Sequence, residues 1–96
     1  MIKVVAKRYL KSGALEAYTA LVRSLVDQTR AEPGCVDYGF FYAPEQTLAV
    51  MIETWESRDA LNRHLERIVA QGWPEKLNAF ADPDKPGGVE QYEQIY

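Results

Sequence analysis

The stretch from Val50 to Leu65 constrains the fold most, because it predicts a β-strand that runs into a helix with almost no loop. Its first part is β-branched, apolar and aromatic, with residue types that recur at every second position, as in a strand. Ser57 then offers a hydroxyl that can accept from the free N–H groups of a first helical turn. The apolar face that follows has the spacing i, i+3, i+4, i+7 and consists of Leu61, His64, Leu65 and Ile68. The only histidine of the chain therefore lies on a face predicted to be buried.

The rest of the chain alternates between predicted strands and helices. Strands are predicted over residues 2–9, 36–42, 48–56 and 89–96, and helices over residues 14–32, 58–70 and 74 to about 80. Ser12 or Gly13 can cap the first helix, and Pro33 and Gly34 end it. Gly39 lacks a side chain and therefore marks either a bulge in its strand or the close approach of another group. The order β-α-β-β-α-(α)-β is that of a ferredoxin-like α+β fold, with four antiparallel strands and helices on one face.

The chain of 96 residues predicts one domain over residues 1–96, since neither a linker nor an internal repeat interrupts it. A domain of this size buries roughly two-thirds of the surface that its unfolded chain exposes. The first three strands are apolar or aromatic on both sides, whereas the helices can cover only one face. A second copy of the sheet is the simplest cover for the other face, so the sequence predicts a homodimer.

Charge and composition exclude several classes of protein. A net charge of −3 and a pI near 5.1 argue against a nucleic-acid partner, which a basic face would normally bind. No apolar run approaches the roughly 20 residues of a membrane span, and the N-terminal residues lack a signal-peptide layout. A cytoplasmic protein without a membrane partner is therefore expected. The single cysteine, Cys35, cannot form an internal disulfide.

Three short motifs resemble a known family in their order and spacing. They are Glu32–Cys35 before the second strand, Glu53–Ser57 before the helix that carries His64, and Tyr92–Glu93 in the last strand. Together they resemble the antibiotic biosynthesis monooxygenase domain of the dimeric α+β barrel group. The resemblance implies a monooxygenase that oxidises a small aromatic or quinol with dioxygen and without a metal or flavin cofactor. Other members of the family isomerise a phosphorylated sugar derivative, and a relative degrades haem.

The sequence also departs from this family. Many members carry a second histidine beyond the one that matches His64, whereas here that region is Gln71–Pro74. The haem-degrading relatives use an asparagine in the first strand, where this chain has Lys7, and a tryptophan where it has His64. The resemblance therefore disfavours haem degradation.

His64 is the candidate catalytic base, because its ordinary pKa allows proton exchange near neutral pH. An oxygenase without a cofactor must deprotonate an electron-rich substrate, so that the resulting anion can give an electron to dioxygen. The simpler alternative is a structural histidine that bonds a backbone carbonyl.

Aromatic side chains in the strands and after the second helix are candidates to line a substrate pocket. The proposed pocket residues are Lys7, Tyr38, Tyr42, Trp55 and Trp73, with the rings stacking on a planar substrate and the lysine holding an anion. Packing of the rings in the core, and a lysine stem lying over apolar surface, are the simpler roles. A small-molecule isomerase and a non-catalytic binding module are the alternatives to a monooxygenase.

We predict that the purified protein carries no stoichiometric flavin or transition metal. One histidine and one cysteine supply too few ligands for a usual metal site, and the chain has no dinucleotide fingerprint or Gly-rich phosphate loop. The visible spectrum is expected to be featureless, and elemental analysis is expected to find iron and zinc well below one equivalent per chain. A yellow preparation, or a metal at one equivalent, would contradict the prediction.

Overall fold

The computed structural model describes all residues, 1–96. Its strands and helices follow the order that the sequence predicts. The elements are β1 (Ile2–Tyr9), α1 (Leu15–Arg30), β2 (Cys35–Ala43), a 3₁₀ turn (Pro44–Gln46), β3 (Leu48–Trp55), α2 (Arg58–Ala70), α3 (Trp73–Asn78) and β4 (Gly88–Glu93). The strands form one antiparallel sheet in the order β2-β3-β1-β4. This arrangement confirms the ferredoxin-like α+β fold. None of the helices has the length and apolarity that a membrane crossing requires.

The two main helices begin in different ways. Ser57 caps α2 as predicted, because its hydroxyl accepts a hydrogen bond from the Ala60 backbone N–H at 3.1 Å. Ala14 is the N-cap residue of α1 and makes no side-chain capping bond, so neither Ser12 nor Gly13 has the predicted capping role. Gly13 instead takes a φ of 78°, which is readily available only to glycine and turns the chain into the helix.

Strand β2 contains one irregularity, which lies between Cys35 and Asp37 rather than at Gly39. A Cβ atom added at Gly39 would lie 2.9 Å from the ring of Phe41. Of the two roles that the sequence allowed for Gly39, the close approach is therefore the one that the structure confirms. The last strand ends at Glu93, three residues before its predicted end at 96.

The helices cover one face of the sheet and enclose the core there. The buried apolar cluster consists of Ile2, Val4, Leu10, Tyr18, Val22, Leu25, Val26, Tyr38, Ala49, Met51, Trp55, Ala60, Leu61, Trp73 and Leu77. The inner face of α2 differs from the prediction, because Leu65 is 38% exposed and Ala60 is buried in its place. Ala60 packs against Gly34, where an added Cβ would lie only 2.5 Å from the Ala60 Cβ, so the first turn of α2 lies directly against the chain that enters β2.

The other face of the sheet carries no helix. Val5 and Ile52 are cross-strand neighbours there, as are Phe41 and Val50. Phe41 is 54% exposed, and the other three side chains are only partly buried. Exposed apolar side chains that lie together on one face of a sheet are typical of interaction surfaces. We call it the open face.

We predict that the protein is a homodimer through the open face. Light scattering at micromolar concentration is expected to give about twice the chain mass of 10.9 kDa. Ile52→Glu is expected to give monomers, because a carboxylate would be buried without a partner in the interface. Val69→Glu is the matched control, since Val69 is exposed on α2, away from this face. A monomeric wild-type protein with an intact fold would contradict the prediction.

Candidate functional site

His64 lies in the centre of the inner face of α2, and only 1% of its side chain is exposed. Its ring packs against Trp55 of β3, with ring centroids 4.6 Å apart and planes 34° apart. The ring of Tyr38 in β2 meets it edge-on, at 5.5 Å between centroids. The structure therefore brings two of the predicted pocket residues, Tyr38 and Trp55, to the predicted base.

A carboxylate binds the histidine, whereas the structural alternative for His64 predicts a backbone carbonyl. His64 Nδ1 lies 2.8 Å from Glu32 Oε2, and Glu32 follows the end of α1. Burial lowers the pKa of His64, and this effect outweighs the Glu32 carboxylate, which raises it. The contact is therefore a hydrogen bond from a neutral imidazole at pH 7 rather than an ion pair. Since Nδ1 carries the proton, Nε2 is the nitrogen with a free lone pair.

Arg67 closes this network on its outer side. Its Nε donates to Glu32 Oε1, so the two oxygens of one carboxylate bind two residues of α2. Its Nη2 donates to Thr29 Oγ1 at 3.1 Å, and its Nη1 donates to the side-chain oxygens of Gln28 at 2.9 Å and Gln71 at 3.0 Å. Arg67 thus joins the end of α1 to α2. We call Glu32, His64 and Arg67 the carboxylate network.

Glu53 is a second acidic residue on the helix-covered face of the sheet, opposite Tyr38 in the neighbouring strand. It is buried, and Trp55 Nε1 donates to its Oε1 at 2.9 Å. Burial raises the pKa of Glu53 to about 7, although the hydrogen bond from Trp55 opposes this shift. No lysine or arginine pairs with it. The core therefore holds a carboxyl group that titrates near neutral pH.

Sequence reasoning did not assign a role to Glu32, Glu53 or Arg67. The two glutamates do lie within the motifs Glu32–Cys35 and Glu53–Ser57 that carry the family resemblance, which is the available signal for them. Arg67 had no such signal, because its partners are distant in the sequence and only the packing of α1 against α2 brings them together.

The remaining predicted pocket residues do not meet His64. Lys7 lies on the open face, where its Nζ is 3.0 Å from Glu90 Oε1, so a pocket that combines Lys7 with Tyr38 does not form across the sheet. Tyr42 is on the helix-covered face but two pleats further along β2. Trp73 begins α3 and is buried, and its Nε1 donates to Gln71 Oε1 at 2.9 Å. Trp73 therefore reaches the carboxylate network only through Gln71.

The site is closed in this structure. Five of the seven surface cavities have volumes between about 190 and 590 Å³, and His64 lines none of these five. A groove of about 560 Å³ between α1 and α3 is connected to the carboxylate network by hydrogen bonds. Gln28 and Gln71 line this groove, and both side chains also bind Arg67. No group of three or more His, Cys, Asp or Glu side chains is placed to hold a metal ion.

Comparison with known proteins gives a consistent result. Residues 1–80 match the family model described as antibiotic biosynthesis monooxygenase. A crystal structure described as an antibiotic biosynthesis monooxygenase is 30% identical, with a TM-score of 0.86 and full coverage of both chains.

Two curated relatives are longer than this chain. Rv0793 of Mycobacterium tuberculosis, named as a proposed monooxygenase, is 31% identical over 80% of this chain and 70% of its own length. The protein sll1783 of Synechocystis, which is uncharacterised, is 28% identical over 95% of this chain, which spans only 61% of that relative.

We predict that Glu53 makes the protein less stable as the pH rises through neutrality. Its carboxyl keeps a proton up to about pH 7 in the folded chain, against 4.5 for the ordinary group, so folding takes up a proton between these values. Stability is therefore highest below this window and is lost as the pH rises through it. Glu53→Gln keeps an acceptor for Trp55 without the titration. Near pH 8 it is expected to be more stable than wild type by about 3 kcal/mol, with little difference near pH 4.5.

Denaturant unfolding at a series of pH values measures this difference. Glu56→Gln is the matched control, because Glu56 is exposed directly after the same strand. Parallel pH profiles for wild type and Glu53→Gln would overturn the assignment.

Proposed function

The chain belongs to the antibiotic biosynthesis monooxygenase family, and from this premise we propose that it oxidises a small aromatic or quinol with dioxygen, without a metal or flavin. The observation that carries the proposal is the state of His64. A neutral imidazole whose Nδ1–H is held by Glu32 presents Nε2 as a base at neutral pH.

The proposed reaction begins with proton transfer from an acidic C–H or O–H group of the substrate to His64 Nε2. The resulting anion gives an electron to dioxygen, and recombination forms a carbon–oxygen bond and a peroxide. At an activated methylene group the peroxide then loses water and leaves a carbonyl. Both methylene hydrogens and one oxygen atom of dioxygen leave in that water, and the substrate supplies all the electrons.

Glu32 acts as a positioning residue in this proposal. Its carboxylate fixes the tautomer of His64 and stabilises the imidazolium that forms when Nε2 takes the proton. Arg67 binds the other carboxylate oxygen and so holds Glu32 in place. Burial raises the pKa of Tyr38, so its hydroxyl stays protonated at neutral pH.

The aromatic walls support an aromatic substrate. Trp55 and Tyr38 flank the histidine, and planar molecules stack well on such rings. Because the side chain of His64 is enclosed, entry of a substrate requires part of α2 or the carboxylate network to move. A site that closes again would exclude water from the reactive anion.

The same enclosure favours a second candidate, a non-catalytic binding module in which His64 is structural. Its ring packs against Trp55, its Nδ1 is hydrogen-bonded, and its side chain is almost completely buried, all of which stabilise a core. An isomerase would use the same base without consuming dioxygen. Oxygen consumption and turnover per folded molecule distinguish these three functions.

We predict that His64→Ala lowers turnover by roughly 10²–10⁴-fold, the usual loss for a missing acid–base group. A panel of quinols and hydroxylated polycyclic aromatics is screened with an oxygen electrode, and the variant is compared with wild type at equal folded concentration. His64→Gln is expected to keep a hydrogen bond to Glu32 and most of the stability, but to lose the same activity.

The control variant is Asn62→Ala, on the exposed side of α2, which is expected to keep full activity. If both His64 variants turn over normally and only their melting temperatures fall, His64 is structural and the proposed mechanism is wrong. Turnover without oxygen consumption would instead identify an isomerase.

A further inference from the structure

The groove between α1 and α3 has the composition of a ligand site. It is lined by Ser24 and Gln28 of α1, by Gln71 after α2, and by Trp73 and Lys76 of α3, together with two apolar residues of α1. Its volume of about 560 Å³ lies within the range of small-molecule pockets. We call it the α1–α3 groove.

Two hydrogen bonds connect the wall of this groove to the carboxylate network. The side-chain oxygens of Gln28 and Gln71 both accept from Arg67 Nη1, at 2.9 and 3.0 Å. Arg67 in turn binds Glu32, which binds His64. A ligand that changes the contacts of Gln28 or Gln71 therefore acts on the residues that hold the histidine.

The charge of the groove is unusual for this chain. Acidic residues outnumber basic ones by 14 to 11, yet no aspartate or glutamate lines the α1–α3 groove. Lys76 does line it, and its Nζ lies 4.8 Å from the centroid of the Trp73 ring. The groove therefore presents a cation beside an aromatic ring.

Arg67 adds a second cation behind the two glutamines. Its Nη1 donates only to neutral amide oxygens, whereas its Nε already has the Glu32 carboxylate. A carboxylate adds the attraction between opposite charges to such a hydrogen bond, and its two oxygens match the planar guanidinium group. A carboxylate that enters the groove is therefore a better partner for Nη1 than the two glutamines.

We propose that the α1–α3 groove is the recognition subsite for an aromatic carboxylate. The acid group binds Arg67 Nη1 and Lys76 in place of the glutamine oxygens, and the ring lies against the apolar wall and Trp73. That this ligand is also the substrate rests on the proposed function, whereas its binding does not. Displacement of Gln28 removes one of the contacts by which Arg67 holds α2 against α1, and so links recognition to the opening of the site.

The two tryptophans allow binding in the groove to be separated from binding at His64. The indole N–H of Trp73 is bonded to Gln71, and that of Trp55 is bonded to Glu53, so each gives its own NMR signal in a separate environment. Naphthoate is the probe, with naphthamide as its neutral counterpart, and the titration is run without dioxygen. We expect naphthoate to shift the Trp73 signal at concentrations where naphthamide has no effect.

Three variants test which groups bind the acid. Gln28→Glu places a carboxylate of the chain itself next to Arg67 Nη1, and is expected to raise the Kd for naphthoate about tenfold. Lys76→Gln removes an exposed cation, and is expected to raise the Kd about threefold. Lys85→Gln is the matched control and is expected to leave the Kd unchanged, because Lys85 lies over the ring of Tyr9, outside the groove.

The outcomes separate the two proposals. A shift of the Trp73 signal in a protein that oxidises none of the quinols, hydroxylated aromatics or aromatic acids supports the proposed groove and contradicts the proposed function. Turnover of quinols without any shift of the Trp73 signal would support the proposed function and contradict the proposed carboxylate subsite in the α1–α3 groove. Equal binding of naphthoate and naphthamide, or an unchanged Kd in both Gln28→Glu and Lys76→Gln, would also overturn it.

Discussion

The arrangement of the helices around the site depends on one shared carboxylate. Glu32 stands where α1 ends, and its two oxygens bind His64 and Arg67, which are three residues apart on α2. A partly buried carboxylate is costly unless it is paired, so any movement that separates α1 from α2 leaves unpaired polar groups between them. This requirement fixes the inner face of α2, and with it the position of the imidazole over Trp55.

The local parts of this structure were predictable from the sequence, and the contacts between elements were not. Hydrophobic periodicity and the Ser57 cap gave the correct limits of α2, because both signals lie within a few residues of each other. The apolar spacing of α2 predicts a buried Leu65, whereas Leu65 is exposed and Ala60 is buried against Gly34, a contact between residues far apart in the sequence. The alternation of residues in β1 predicts that Lys7 and Val4 point to opposite faces of the sheet. Which of these faces the helices cover follows only from the pairing of the strands and the packing of the helices.

The core of this domain combines good packing with an unfavourable electrostatic feature. Trp55 is completely buried and fills the space below His64, as an ordinary core residue does. Glu53 lies beside Trp55 and forms no salt bridge with a lysine or arginine. The carboxyl group of Glu53 accepts a hydrogen bond from the indole N–H of Trp55. A glutamine would accept the same bond without the cost of ionisation. Polar groups of this kind are enriched at functional sites, where the pKa of a residue matters more than its contribution to stability.

The contact between Gly34 and Ala60 also determines how the domain can move. A Cβ at Gly34 would lie 2.5 Å from that of Ala60, and the Gly34 carbonyl accepts the Glu56 backbone N–H at 2.9 Å. The start of α2 is therefore fixed against the backbone, whereas its far end is held by the exchangeable side-chain contacts of Arg67. A separation of α2 from α1 would therefore begin at the end that carries Arg67, where contacts between side chains, rather than backbone groups, hold the helix.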